Sequence, residues 1–161
     1  MRTCFHVGLA LVCAFVLHTF SNRAPDPTER CTSVRTTNNS SGTHVTIQVG
    51  NIQLHSALAD TGASKTVVPG CIMRTLADRG LAQHIGSTTL TMADDSVQRA
   101  QKWRTTVQVL FADNRVATIT DHVVTSIEQP LYSALLGHPT LAALDLLVDP
   151  KHKKLVYRGD L

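Results

Sequence analysis

The segment ALADTGASKTVV, residues 57–68, places an acid in the middle of an apolar, β-branched run. Asp60 is followed at once by Thr61 and Gly62, at a point where the chain could have continued a buried strand. A carboxylate at a strand end costs little when the next loop turns backbone N–H groups toward it, and glycine permits such a tight turn. The segment therefore predicts a strand that runs to Asp60, a loop, and a second strand.

Regular patterns on both sides of this segment predict further short elements. Residues 43–49 and 52–54 alternate apolar and polar side chains around Gly50-Asn51, which is typical of a hairpin. Residues 71–80 show helical spacing and close with a glycine. The other predicted elements are strands at 57–60, 66–68, 88–92, 103–111, 116–120, 123–124, 135–137 and 155–157, a polar reversal at 93–102, and a helix from about Pro139 past Asp145. Short strands with few helices indicate an all-β, barrel-like domain.

The length and the charge of the chain bound its architecture and its partners. With 161 residues, 43% of them hydrophobic, the chain can form one globular domain and an extension, but hardly two cores. Its net charge of +3 comes from 15 basic and 12 acidic residues spread along the length. This weak, dispersed charge does not indicate a nucleic-acid surface, and no nucleic-acid partner is expected.

The N-terminal residues differ from all that follow. Residues 4–20 form an apolar run without formal charge, intermediate between the core of a cleaved signal and the roughly 20 residues that span a bilayer. We predict a signal peptide or membrane anchor at 1–21, a flexible polar linker at 22–42, and the folded domain at 43–161. Either form of the leader predicts a domain outside the cytosol, membrane-anchored or secreted, for example into a periplasm.

Two of the four cysteines lie outside this leader. Cys31 and Cys71 could pair in an oxidising compartment and tie the linker to the domain, although the sequence does not show that they come within bonding range. The chain has no CxxC, HxH or HExxH spacing. A metal site therefore has no support, and no cofactor is expected.

Two motifs, LADTGA at residues 58–63 and LLG at residues 135–137 with a helix after it, resemble those of the retropepsin-like aspartic peptidases. The resemblance covers roughly residues 43–158 and implies a closed β-barrel or sandwich lobe with one or two short helices, active as a twofold homodimer on protein or peptide substrates. It implies that Asp60 is catalytic. The implied supporting residues are Thr61, Gly62 and Ala63 in the acid loop, Leu135, Leu136 and Gly137 in a strand behind it, and Ala93, Asp94, Asp95, Ser96 and Val97 in a flap over the substrate.

Peptide hydrolysis without a metal or a covalent intermediate requires two carboxyl groups, one to deprotonate water and one to protonate the carbonyl. The chain has one D-T-G. Asp145 and Asp149 lie in a predicted helix and the turn after it, without a comparable loop, so they are rejected as partners. The remaining solution is a homodimer in which each chain contributes Asp60.

The chain departs from the family pattern at three places. Ala63 stands where many two-lobed relatives have a hydroxyl that hydrogen-bonds the carboxylate, so we expect the pH optimum to be displaced toward mildly acidic or neutral pH. A profile that peaks near pH 2 would contradict this. No glycine occurs between Gly86 and Gly137, although retroviral flaps are glycine-rich. His138-Pro139-Thr140 follows the second motif, so any supporting ion pair there is missing or replaced.

Three interpretations follow from these observations. The first is an aspartic endopeptidase. The second is a catalytically silent dimeric binding module of the same fold, which the glycine-poor flap favours. The third is an unrelated β-barrel in which Asp60 only caps a turn.

Overall fold

A computed structural model describes residues 42–128, 130 and 132–161. Within them the chain forms nine strands, two α-helices and a final 3-10 turn. The strands are β1 (Thr43–Val49), β2 (Ile52–Asp60), β3 (Val67–Pro69), β4 (Ala82–Thr91), β5 (Val97–Leu110), β6 (Val116–Ile127), β7 (Leu135–Gly137), β8 (Leu146–Asp149) and β9 (Lys154–Tyr157). The helices are α1 (Gly70–Asp78) and α2 (His138–Ala143), and the 3-10 turn is Arg158–Asp160.

Six of the strands close into a barrel. Their order is β1-β2-β7-β3-β6-β5, and β5 pairs back onto β1. Strand β4 pairs with β5 outside this ring, while β8 and β9 form a separate two-stranded sheet. The prediction of an all-β domain, a closed barrel with one or two short helices, is confirmed.

The barrel closes around side chains that alternate inward along its strands. Ile47 and Val49 of β1 and Val107 of β5 are fully buried, as period-two patterning requires. Helix α1 covers this core with three fully buried side chains: Ile72, Met73 and Leu76. Burying each large apolar side chain contributes about 1.5–3 kcal/mol relative to leaving it exposed, so this core is the main source of stability.

The Gly50-Asn51 hairpin is observed where it was predicted. Val49 pairs with Ile52, and Gly50 adopts φ +57°, a conformation that is rarely open to residues with a Cβ. The backbone N–H of Gly50 also donates to the carbonyl of Thr106, 2.8 Å away. This turn therefore helps to join β1 to β5 at the point where the barrel closes.

Three secondary-structure predictions were wrong. Residues 97–102, expected in a polar reversal, belong to β5, and only residues 92–96 turn. The helix expected to continue past Asp145 ends at Ala143, and Leu146–Asp149 is strand β8. The strands expected at 116–120 and 123–124 form one strand, with a register shift opposite Thr105 and Val107. At the start of β5 three successive residues, 97–99, are all exposed, so the alternating signal disappears there.

Most of the predicted N-terminal organisation concerns residues outside the described part of the chain. This holds for the leader at 1–21 and for the linker up to residue 41, which stay predictions. Among the described helices, none has the length and apolar character needed to cross a membrane. Cys71 is disulfide-bonded, and Cys31 lies outside the described residues, so the pairing of these two also stays a prediction.

Candidate active site

Asp60 is the last residue of β2, and a tight loop follows it. The backbone N–H of Gly62 donates to Asp60 Oδ1 at 2.8 Å, and the N–H of Ala63 donates to the Asp60 carbonyl at 3.3 Å. Asp60 is partly buried, while Thr61 and Gly62 are exposed. The loop therefore orients the carboxylate through its own backbone and leaves it accessible to water.

Strand β7 lies directly behind this acid loop. It runs parallel to β2, with Gly137 in register with Asp60, and antiparallel to β3, with Leu135 opposite Val67. The N–H of His138, the residue after β7, donates to the Ala63 carbonyl at 2.9 Å. The structure thus brings the two sequence motifs, at residues 58–63 and 135–137, into one hydrogen-bonded unit.

Position 137 requires glycine because neighbouring backbone atoms leave no room for a Cβ, and not because of its own backbone conformation. A Cβ at this position would overlap the backbone carbonyl group of Lys65 and touch the carbonyl oxygen of Ala63. Backbone atoms cannot move aside as a flexible side chain can, so only glycine lets β7 approach the acid loop so closely.

A buried hydroxyl network supports the loop from below, and sequence analysis missed it. Thr66 Oγ1 accepts the Gly137 N–H at 2.9 Å and lies 2.6 Å from Thr140 Oγ1. Thr140 Oγ1 in turn lies 2.7 Å from His122 Nε2. These residues come from three separate parts of the chain, and no spacing in the sequence links them. Thr140 belongs to the His138-Pro139-Thr140 segment after the second motif, and its hydroxyl connects that segment to Thr66.

The predicted flap residues form the turn of the β4–β5 hairpin. The N–H of Met92 donates to the Ser96 carbonyl at 2.8 Å, and that of Asp95 donates to the Met92 carbonyl at 3.0 Å. Residues 93–97 are all exposed. Asp95 takes φ +62°, which aspartate tolerates better than most residues, so the turn forms without glycine.

Asp94 fixes the shape of this turn. Its Oδ1 accepts hydrogen bonds from Ser96 Oγ at 2.6 Å and from the Ser96 N–H at 3.0 Å. These bonds favour the ionised carboxylate and lower the pKa of Asp94. A side-chain hydrogen bond joins the β4–β5 hairpin to the segment that follows Asp60: Lys65 Nζ donates to Thr88 Oγ1 of β4 at 3.3 Å.

The two aspartates rejected as catalytic partners have other contacts. Asp145 pairs with Arg158 at 3.2 Å, and Asp149 accepts hydrogen bonds from the turn that follows it, including one from the N–H of His152 at 3.1 Å. No cluster of three or more potential metal-ligating side chains occurs in the described ranges. Within the domain as described, both of these carboxylates therefore bond to residues other than Asp60.

A groove on the domain lies away from Asp60. It has a volume of about 1000 Å³ and is lined by β1, the β5–β6 turn and the β8–β9 sheet, including His44, Phe111, Arg115 and Leu155. Asp60 and the residues of its loop are not among the residues that line this groove.

Among known proteins, this chain is similar only to solved structures, and not to a family model or a curated protein. No family model matches the chain, and no curated protein matches it. The retroviral protease-like domain of Ddi1 from Leishmania major is 13% identical with a TM-score of 0.45, and the match covers 73% of this chain and 90% of that one.

Two further solved structures are similar to this chain. The EIAV protease, complexed with the inhibitor HBY-793, is 17% identical with a TM-score of 0.45, covering 68% of this chain and 93% of that one. A retropepsin-like aspartic protease from Rickettsia conorii is 17% identical with a TM-score of 0.40, covering 67% of this chain and 84% of that one. At these identities the likeness concerns the fold, and the chemistry has to be derived from the site.

Proposed function

We propose that this chain is an aspartic endopeptidase that hydrolyses protein or peptide substrates as a homodimer. The observation that carries the proposal is the Asp60 loop: a partly buried carboxylate, oriented by Gly62, with exposed residues beside it. A turn-capping aspartate would need none of the support that β7 and Thr66 give to this loop. The third interpretation from the sequence is therefore not favoured.

A second Asp60 would come from a second copy of the chain. One chain supplies one such loop, and two carboxyl groups about 3 Å apart share one proton because both cannot be charged at that distance. The two-stranded β8–β9 sheet follows α2, the helix next to the acid loop, and its outer edges have no strand partner among the described residues. Unpaired strand edges favour pairing with another chain, which supports assembly with a second copy.

The proposed reaction assigns separate tasks to the two carboxyl groups. The ionised Asp60 takes a proton from a water molecule as its oxygen attacks the peptide carbonyl carbon. The protonated Asp60 gives its proton to the carbonyl oxygen, which forms a tetrahedral diol. As the C–N bond breaks, the amine nitrogen takes the proton that the first Asp60 received from water. A diol hydroxyl gives its proton to the second Asp60, which restores the starting state of the dyad. The flap turn at 93–97 would close over the peptide.

The leader adds a proposal about location. An apolar N-terminal segment of this length would anchor the domain to a membrane or direct its secretion, outside the cytosol in both cases. The domain boundaries at residues 21 and 42 belong to the same proposal.

The deciding experiment compares the full-length protein with Asp60→Asn and Asp78→Asn on a peptide library across a range of pH. Asp78 is an exposed aspartate at the end of α1 and is the matched control. We expect Asp60→Asn to lower kcat/KM by at least about a hundredfold, the lower end of the effect of general acid–base catalysis, and Asp78→Asn to leave it unchanged.

Sedimentation of the same three proteins tests the assembly. A dimer that shows no Asp60-dependent cleavage would favour the binding module over the enzyme. Cleavage by a monomer, or cleavage that survives in Asp60→Asn, would overturn the proposed mechanism.

A further inference from the structure

A chain of polar groups runs behind the acid loop from β7 to β6. It begins at the Gly137 N–H, passes through the hydroxyls of Thr66 and Thr140, and ends at His122 Nε2, with successive distances of 2.9, 2.6 and 2.7 Å. Thr66 is 2% exposed and Thr140 is fully buried, while His122 is partly buried. We call this chain of four groups the relay.

Counting protons gives the relay a direction. The Gly137 N–H can only donate, so Thr66 Oγ1 accepts from it. Each threonine hydroxyl has one proton. If His122 Nε2 is an acceptor, Thr66 donates to Thr140, Thr140 donates to His122, and every proton in the relay has a partner.

A proton on His122 Nε2 breaks this arrangement. Thr140 would then accept from His122, and the single Thr66–Thr140 contact could use only one of the two hydroxyl protons, so the other would have no partner within the relay. An unpaired buried donor costs about 1–3 kcal/mol. The relay is therefore fully satisfied in one state only, with an uncharged imidazole whose proton is on Nδ1.

The surroundings of His122 favour that uncharged state. Burial is the cause that lowers its pKa below the ordinary 6.5. The neighbouring Asp121 is paired with Arg104 of β5 at 3.2 Å, and both of those side chains are largely exposed. On α2, His138 is exposed, and in the loop Lys65 directs its ammonium to Thr88.

We propose that His122 is a positioning residue whose uncharged imidazole orients the two hydroxyls that hold β7 against the acid loop, and that its protonation loosens this hold in acid. The effect of His122 protonation on cleavage rests on the proposed function, whereas the relay itself does not. The folded state favours the uncharged form of His122. The stabilising contribution of His122 is therefore complete above pH 6.5, the pKa in the unfolded chain, and is lost as the pH falls through the lower pKa of the folded state.

The test uses NMR on the full-length protein without substrate, so that it does not depend on catalysis. The ¹⁵N shifts of His122 report which ring nitrogen carries the proton. Amide exchange of Gly137, expressed as a protection factor, reports the hold on β7. The variants are His122→Gln, which offers an acceptor that does not titrate, and His84→Gln, in which an exposed histidine bonded to Gln101 on the far hairpin is changed instead.

We expect the wild type and His84→Gln to lose protection at Gly137 by about tenfold or more on acidification, the equivalent of about 1.4 kcal/mol. In His122→Gln, the protection factor at Gly137 should change less than about twofold over the same pH range. A proton on Nε2 at neutral pH, or the same loss in all three proteins, would overturn the proposal. If His122→Gln does not fold, the ¹⁵N shifts of His122 and the protection of Gly137 in the wild type still test the proposal.

The effect on cleavage is measured separately. With a peptide substrate, His122→Gln should retain more of its neutral-pH kcat in acid than the wild type does, with KM little changed. A relay that passes the NMR test in a protein that cleaves nothing would contradict the proposed function and not the relay.

Discussion

The acid loop and the flap turn are built on the same local motif but differ in what lies behind them. In both, an aspartate accepts at Oδ1 the backbone N–H of the residue two positions ahead: Gly62 to Asp60 at 2.8 Å and Ser96 to Asp94 at 3.0 Å. The same bond occurs at Asp113 and Asp149. Only the Asp60 loop, among these four, is followed by a buried threonine bonded to a second strand.

This difference shows that the aspartate turn is a common local structure and does not by itself make a site. Asp94 holds its turn with bonds to Ser96 alone, so every partner is within two residues. Asp60 sits beside Gly137, and the hold on that strand comes from Thr66 and Thr140. The proposed pair of Asp60 carboxyl groups about 3 Å apart would need support of the second kind, because a site on an unsupported loop is less precise.

The largest effect should follow from Gly137→Ala. The added Cβ would overlap the Lys65 backbone, and overpacking costs about 1–3 kcal/mol, or more when the obstacle is backbone. We expect a loss of at least about 3 kcal/mol in the free energy of unfolding, measured by urea denaturation. Gly159→Ala is the matched control, because nothing lies within 4 Å of its Cβ position. Equal stability of the two variants would contradict the close approach of β7.

A smaller effect should follow from Thr66→Val, which keeps the shape of the side chain but removes its hydroxyl. The Gly137 N–H and the Thr140 hydroxyl would both lose a partner in a buried site. We expect a loss of about 2 kcal/mol in the free energy of unfolding. Thr66→Ser keeps a hydroxyl at this position and should retain most of the free energy of unfolding. If valine were as stable as serine here, the network would not support the loop.

The smallest effect should follow from Asp94→Ala in the flap turn. Its carboxylate and Ser96 are exposed, so water replaces the lost hydrogen bonds. We expect no change in the urea midpoint beyond experimental error, but faster amide exchange at Ser96. Should this substitution destabilise the protein as much as Thr66→Val does, the two regions would not differ in the way described here.

Much of the fold was predictable from local patterns. Alternation located the barrel strands, Gly50-Asn51 located the first hairpin, and the two motifs located the acid loop and β7. Local patterns failed at the tip of the β4–β5 hairpin, where residues 97–99 of β5 are all exposed. They also failed at β8, where the apolar residues of Leu146–Asp149 fit a helix or a strand equally well.

The sequence by itself determined the position of the acid, the turn around it, and the class of the fold, because each depends on residues a few positions apart. The tertiary structure alone decided the closure of β5 onto β1 and the meeting of Thr66, Thr140 and His122. Those contacts join residues 18 or more positions apart. Hydrogen bonds over such distances leave no periodic trace in a sequence, since each partner is an ordinary residue until the fold brings the others to it.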